Sequence, residues 1–185
     1  MRASRLGMLL LVMAPAWYLA ELPGQGGGSA DKVELKVVKY DELGDIIRAN
    51  KGKVVLLDFW FYTCQPCKEA FPNLVAMHKK YGDQGLVVVS VNVDDLDDNG
   101  KAPKFVTKFL NEQKATMINV LLDESPEVKL KKLRLTSYPC VYVFNKEGQW
   151  TQFMGEDGLK PEEKHRRIED YVKQLLSQPA KTASK

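Results

Sequence analysis

Two kinds of hydrophobic pattern alternate along the chain. Val54 to Phe61 (VVLLDFWF) and Leu86 to Val93 (LVVVSVNV) are almost unbroken apolar runs of strand length, the pattern of strands covered on both faces. Around them, apolar residues return at helical spacing. Leu43, Ile46 and Ile47 mark a helix from Asp41, its expected cap, to Asn50, with Gly52 ending it. Phe105, Val106, Phe109 and Leu110 line one side of a helix over Pro103 to Gln113. Ile168, Tyr171, Val172, Leu175 and Leu176 follow the i, i+3, i+4, i+7, i+8 positions of a last helix beginning near Pro161. Val33 to Tyr40 alternates loosely and predicts a strand, and Ile118 to Asp123 a short strand or extended connection. Ser125-Pro126 supplies a cap and a first-turn proline for a further helix. Cys140 to Asn145 reads as a strand that turns through Lys146-Glu147-Gly148 into Gln149 to Met154. The pattern from Asp31 to Gln178 is therefore that of one alternating α/β domain without internal repeats.

The ends of the chain differ from this domain. Arg2 and Arg5 precede Leu6 to Ala20, an uncharged run shorter than the ~20 residues a spanning helix needs. Residues 1–30 are thus expected to be a signal peptide, or alternatively an uncleaved membrane anchor, followed by the flexible linker Gly24 to Ser29. Ala14-Pro15-Ala16 is a weak cleavage signal inside the apolar run, which keeps the anchor reading open. No cysteine follows the run to carry a lipid. Residues 179–185 are expected to be a flexible tail.

Composition narrows the chemistry. Hydrophobic residues make up 44%, enough for a packed core. The 27 basic and 24 acidic residues nearly balance, which gives no reason to expect nucleic acid as a partner. The chain has only three cysteines, Cys64, Cys67 and Cys140, and two histidines, His78 and His165. That is too few for a disulfide scaffold, and no fourfold zinc ligand set suggests itself. Neither histidine is placed to activate a cysteine as in a protease, and both read as exposed helix residues.

Cys64-Gln65-Pro66-Cys67 lies directly after a buried strand, where a helix should begin. The free N–H groups and partial positive charge of a helix N-terminus favour thiolate, the nucleophilic form. Cys64 at the helix tip is the expected attacker. Cys67, one turn further in, is the expected resolving thiol. The bland alternative is a pair of structural cysteines or half of a metal site. The placement at a strand-to-helix junction favours redox chemistry. Asp58 is the one charge in its strand. A carboxylate there must be neutralised or paired, unless the strand ends early and leaves it in solvent.

The segment Val54 to Lys68 (VVLLDFWFYTCQPCK) resembles the active-site strand and motif of the thioredoxin-like superfamily. With Val91-Asn92-Val93, Leu121-Leu122-Asp123 and Tyr138-Pro139, it is similar to the exported TlpA/ResA branch. The resemblance implies a three-layer α/β/α sandwich around a mixed central sheet of about five strands. It also implies a cis peptide at Pro139 facing the cysteine pair. Asp58 would be the buried acid that takes the proton of Cys67. Tyr138 would offer its backbone to the substrate, with Pro139, Trp60, Gln65 and Pro66 completing the substrate-binding set. Trp60 and Phe61 could shield the disulfide or instead fill the core, and Phe61 reads as core. The chain also departs from the pattern. Thr63 stands where a tryptophan is usual, Cys140 where a threonine is usual, and Ala70 where ResA-like proteins carry an active-site glutamate. Glu69 does not inherit that role, and Lys68 reads as a solvated helix residue. Pro72 falls inside the helix, where it removes a backbone bond.

The expected activity is that of a protein-disulfide reductase, exported and either periplasmic or anchored at the outer face of the inner membrane. It would act as a monomer on protein disulfides, recharge from an upstream thiol donor such as a membrane reductase, and need no bound cofactor or metal. Two rivals remain open at this point. Cys64 and Cys67, with Cys140, could bind Cu(I) as a metallochaperone. Thr63-Cys64 could alternatively serve a peroxidase.

Overall fold

The computed structural model describes residues 33–155 and 158–179. The expected leader and linker over residues 1–30, and the tail beyond residue 179, lie outside the described residues. Six strands form one sheet: β1 (Lys36–Val38), β2 (Val54–Trp60), β3 (Leu86–Asn92), β4 (Ile118–Leu122), β5 (Cys140–Phe144) and β6 (Trp150–Phe153). Their order is β1-β4-β3-β2-β5-β6. The β1–β4, β4–β3 and β3–β2 pairs are parallel, whereas β2–β5 and β5–β6 are antiparallel. The helices are α1 (Tyr40–Ala49), α2 (Gln65–Tyr81), α3 (Lys104–Glu112) and α4 (Pro161–Ser177).

All seven residues of β2 are buried, and their alternation builds two cores. Leu56 and Trp60 face a core completed by Phe71 and Leu74 of α2, Phe109 and Leu110 of α3, and Ile168 and Val172 of α4. Val55, Leu57 and Phe59 face a second core with Leu43 of α1, Leu135, Cys140 and Tyr142. Each buried aliphatic or aromatic side chain contributes about 1.5–3 kcal/mol. A strand apolar on both faces is therefore satisfied only by a layer of cover on each side.

Four local expectations need correction. The sheet has six strands, not about five, because residues 36–38 pair with β4 at one edge. The first strand is shorter than Val33–Tyr40 because α1 already begins at Tyr40. Asp41 lies inside that helix and does not cap it. Instead, Glu42 reaches back to accept the backbone N–H of Lys39 at 2.7 Å. The helix expected after Ser125 does open at Pro126, but it is short and continues as a wide π-helical turn over Val128–Lys132. Its Ser125 Oγ still accepts the N–H of Val128 at 3.3 Å.

α2 and α4 are joined at their exposed edge through Glu169. It accepts hydrogen bonds from Tyr81 Oη and, at 2.9 Å, from Lys80 Nζ. These bonds hold the Glu169 carboxyl down at about 2. Because the folded-state value lies below the unfolded one, this stabilisation is complete above pH ~4.5 and is lost as pH falls through 2. Tyr81→Phe should therefore cost about 1 kcal/mol at neutral pH. In urea unfolding series, the difference from wild type should shrink steadily below pH 4.5, and a pH-independent difference would refute this role for Glu169.

Candidate active site

The approach to the cysteines is pinned by the end of β3. Asp94 Oδ2 accepts the backbone N–H of Tyr62 at 2.8 Å and Asn92 Nδ2 at 2.7 Å. The N–H of Val93 binds Trp60 O at 2.9 Å. The Cys64 N–H then closes a turn onto Phe61 O at 3.0 Å. This clamp was missed in the sequence, where Asp94 looks like one acid of a polar loop. The only available signal was its position at the mouth of a buried strand.

Cys64 is the N-cap residue of α2, and its Sγ accepts the Cys67 N–H at 3.3 Å. The helix thus directs an N–H donor at the sulfur expected to carry negative charge. Cys64 and Cys67 are joined as a disulfide. Cys64 is 6% exposed and Cys67 1%, so the expected contrast between outer and inner thiol survives only faintly. In the bonded pair, the Cys64 sulfur folds back over the first turn of α2.

Asp58 sits on the same face of β2 as Leu56 and Trp60. It is buried, and its Oδ1 has no hydrogen-bond partner among the described residues. Burial pushes its carboxyl up to about 7, which answers the energetic question posed by a lone acid in an apolar strand. Asp58 reaches a cavity of about 230 Å³ that extends past Pro66, Ala70 and Met77 to Pro139 and α4. Ala70, at the glutamate position of the family pattern, lines this cavity and leaves its wall apolar.

The Tyr138–Pro139 peptide is cis. Tyr138 stacks edge-on against Phe61 at 5.1 Å, and both Tyr138 and Pro139 line the cavity beside Asp58. Gly155 closes the far side of this loop. A Cβ at Gly155 would lie 2.9 Å from Tyr138 O, closer than any side chain tolerates. Gly155 was also missed in the sequence, where the Met154-Gly155 step looks like an ordinary strand end.

The remaining predicted residues separate. Pro66 and Gln65 are exposed at the start of α2, and Gln65 Nε2 donates to Glu69 at 2.9 Å. Trp60 cannot bind substrate: it is 0% exposed, packs on Phe71 and Phe109, and donates its Nε1–H to Ser90 Oγ at 2.8 Å. Phe61, its neighbour across the pleat, is the aromatic residue that stands near Tyr138. Lys68 lies over the Tyr62 ring at 4.9 Å. His78 and His165 are half-buried, not exposed, and His165 lines the cavity that holds Asp58. Cys140 is fully buried in the second core, on the face opposite Cys67, and burial raises its thiol to about 11. The sheet therefore separates it from the cysteine pair, and a three-thiol copper site is not assembled. Among the described residues, no group of three or more His, Cys, Asp or Glu side chains could hold a metal ion.

Residues 52–150 match the Thioredoxin-like family model. The thiol-disulfide oxidoreductase ResA of Bacillus subtilis is 34% identical over 60% of this chain and 55% of its own length. ResA of Bacillus thuringiensis is 24% identical, covering 88% of this chain and 76% of its own. Among solved structures, a Chlorobium tepidum protein described as thiol:disulfide interchange protein DsbE superposes with a TM-score of 0.58. It is 26% identical and covers 71% of this chain and 85% of its own.

Asp58 should also tilt the stability of the oxidised protein with pH. The unfolded chain releases this proton near 4, whereas the folded chain keeps it to about 7. Over that interval the folded state binds more protons, so stability falls as pH rises and then levels off. The change is at most on the order of 4 kcal/mol. Asp58→Asn should flatten the profile, so that urea unfolding shows the variant gaining on wild type between pH 4 and pH 8. Parallel profiles for the two proteins would overturn the buried-acid reading.

Proposed function

The chain belongs to the thioredoxin-like family and is a thiol–disulfide oxidoreductase; from that premise we propose that it reduces disulfides of protein substrates outside the cytoplasm. The observation that carries this reading is the helix N-terminus itself. It places a backbone N–H on the Cys64 sulfur and brings Cys67 within bonding reach. The disulfide present here is the end state of the reaction.

In the reduced protein, the Cys64 thiolate attacks one sulfur of the substrate disulfide, and the other leaves as thiolate. Cys67 then loses its proton to Asp58 and attacks the Cys64 sulfur. That step breaks the mixed disulfide, releases the second substrate thiolate and leaves Cys64 and Cys67 oxidised. Two electrons have passed from the pair to the substrate, and an upstream dithiol donor restores them. Asp58 suits this step because a carboxyl held near 7 both accepts and releases a proton at working pH. The Tyr138–Pro139 loop, which lines the same cavity as Pro66 of the cysteine motif, would align the substrate chain. The reductase direction follows the ResA-like resemblance, and the location follows the leader expected over residues 1–30.

Cys67→Ser should stall the reaction after the first attack. Mixing the reduced variant with extracts of exported proteins should accumulate mixed disulfides on Cys64, seen as adducts in non-reducing gels and mass spectra. Wild-type turnover without any trapped adduct in the variant would sink the two-thiol mechanism. Gly155→Ala probes the substrate loop separately. A methyl against Tyr138 O shifts that loop, and a displacement approaching 1 Å can cost about 10²-fold in rate. Reduction of a protein substrate should therefore fall by more than tenfold, while dithiothreitol still cycles the pair. Equal losses toward both reagents would place Gly155 in stability and not in substrate alignment.

A further inference from the structure

On the face of the sheet remote from the cysteines, α1 and the turn over Val128–Lys132 flank the sheet and touch where Lys132 lies over the Tyr40 ring. Between them lies a recess of about 230 Å³. Its floor is aromatic. Tyr142 lies at its centre, 5.7 Å from the Phe59 ring and 4.9 Å from Trp150. The Tyr142 hydroxyl is already used, since its Oη donates to Leu133 O at 2.6 Å. Trp150, on the edge strand β6, is 46% exposed, unlike the fully buried Trp60. Tryptophan and tyrosine are enriched among the anchor residues of protein interfaces.

The rim carries the opposite character. Arg48, Lys132 and Arg134 line it against a single acid, Asp41. Asp45 engages Arg48 at 2.5 Å, and Lys132 lies over the Tyr40 ring at 4.9 Å. Arg134 makes no ion pair among the described residues, and its exposed side chain follows Lys129, Lys131 and Lys132 in the chain. Such a rim favours a negatively charged partner and disfavours a basic one. The recess is smaller than the ~300–1,000 Å³ of ordinary small-molecule pockets. It fits one large side chain, not a cofactor.

We propose that this recess is a docking site for an acidic segment of a partner protein, anchored by one aromatic side chain seated in the recess against the contacting Tyr142 and Trp150 rings. Its concavity favours a side-chain anchor over a lipid surface, which would need a protruding apolar face. Docking there leaves Cys64 uncovered, so a partner held by this face could present a second segment to the cysteines at raised effective concentration. The site does not depend on the direction of electron flow.

The test uses the full-length oxidised protein, labelled with ¹⁵N, and a short blocked peptide of aspartates and glutamates around one phenylalanine. The expected result is saturable shifts at the Trp150 indole N–H and the Gly44 and Arg134 amides, weakening with salt. Trp150→Ala should weaken binding at least about tenfold. The doubly charge-reversed Lys132→Glu, Arg134→Glu protein should do the same, and its exposed positions leave the core untouched. Replacing the phenylalanine by alanine, or the acids by lysines, should abolish the shifts. The proposal is overturned if the peptide causes no shifts, or if they map to the cavity around Asp58. It is equally overturned if this face binds vesicles of phosphatidylglycerol and phosphatidylcholine in equal parts but not the peptide.

Discussion

The burial of β2 on both faces and along both edges is the constraint from which the rest of the structure follows. A seven-residue strand with no exposed position needs hydrogen-bonding neighbours on either side, which β3 and β5 provide. It also needs apolar cover above and below, which the two cores provide. Once those are in place, the C-terminal end of β2 is held rigidly, and the chain leaving it must turn into α2 at the edge of the sheet. The cysteine pair sits at that turn. Its reactivity is thus tied to the best-packed element of the domain, and the Asp94 clamp removes the freedom that remains between strand and helix.

Asp58 is the exception inside this constraint, the one carboxyl in an otherwise apolar buried strand. Six apolar residues surround one carboxyl in the same strand. The cost of burying its charge appears as a raised affinity for a proton rather than as an ion pair. The strand therefore stabilises the fold through its apolar positions and gives up some stability at one polar position. That position opens onto the cavity shared by Pro66 and Pro139. Perturbed acids of this kind cluster at working sites because the same desolvation that costs stability tunes the proton affinity.

The two faces of the sheet divide the labour. The face bearing α2, α3 and α4 holds the cysteines, Asp58 and the cis-proline loop. The opposite face holds the inert thiol of Cys140 and the aromatic recess beside Trp150. A period of two residues along β5 makes this division: Val141 faces the reactive side, while Cys140 and Tyr142 face away. Adjacent residues in a strand can thus have unrelated chemical fates.

The alternating apolar runs, the cysteines at a strand-to-helix junction and the lone charge in a buried strand were all legible along the chain, because each is a local pattern. Their physical consequences are nearly independent of what packs around them. A buried strand must be apolar, a helix tip polarises a thiol, and an isolated carboxyl must hold its proton or find a partner. What could not be read was every property that depends on which face a side chain takes or on what comes near it from elsewhere in the sequence. Along the chain Trp60 reads as a site residue and Phe61 as core, yet the pleat buries Trp60 and leaves Phe61 beside Tyr138. Gly155 and His165 had no sequence signal of their own, and Asp94 had only its position at the mouth of a buried strand. Their roles arise from contacts with residues distant in the chain: Tyr62, Tyr138 and the cavity under Asp58. Local chemistry was thus determined by the sequence itself, whereas proximity across the sheet was decided only when the chain packed.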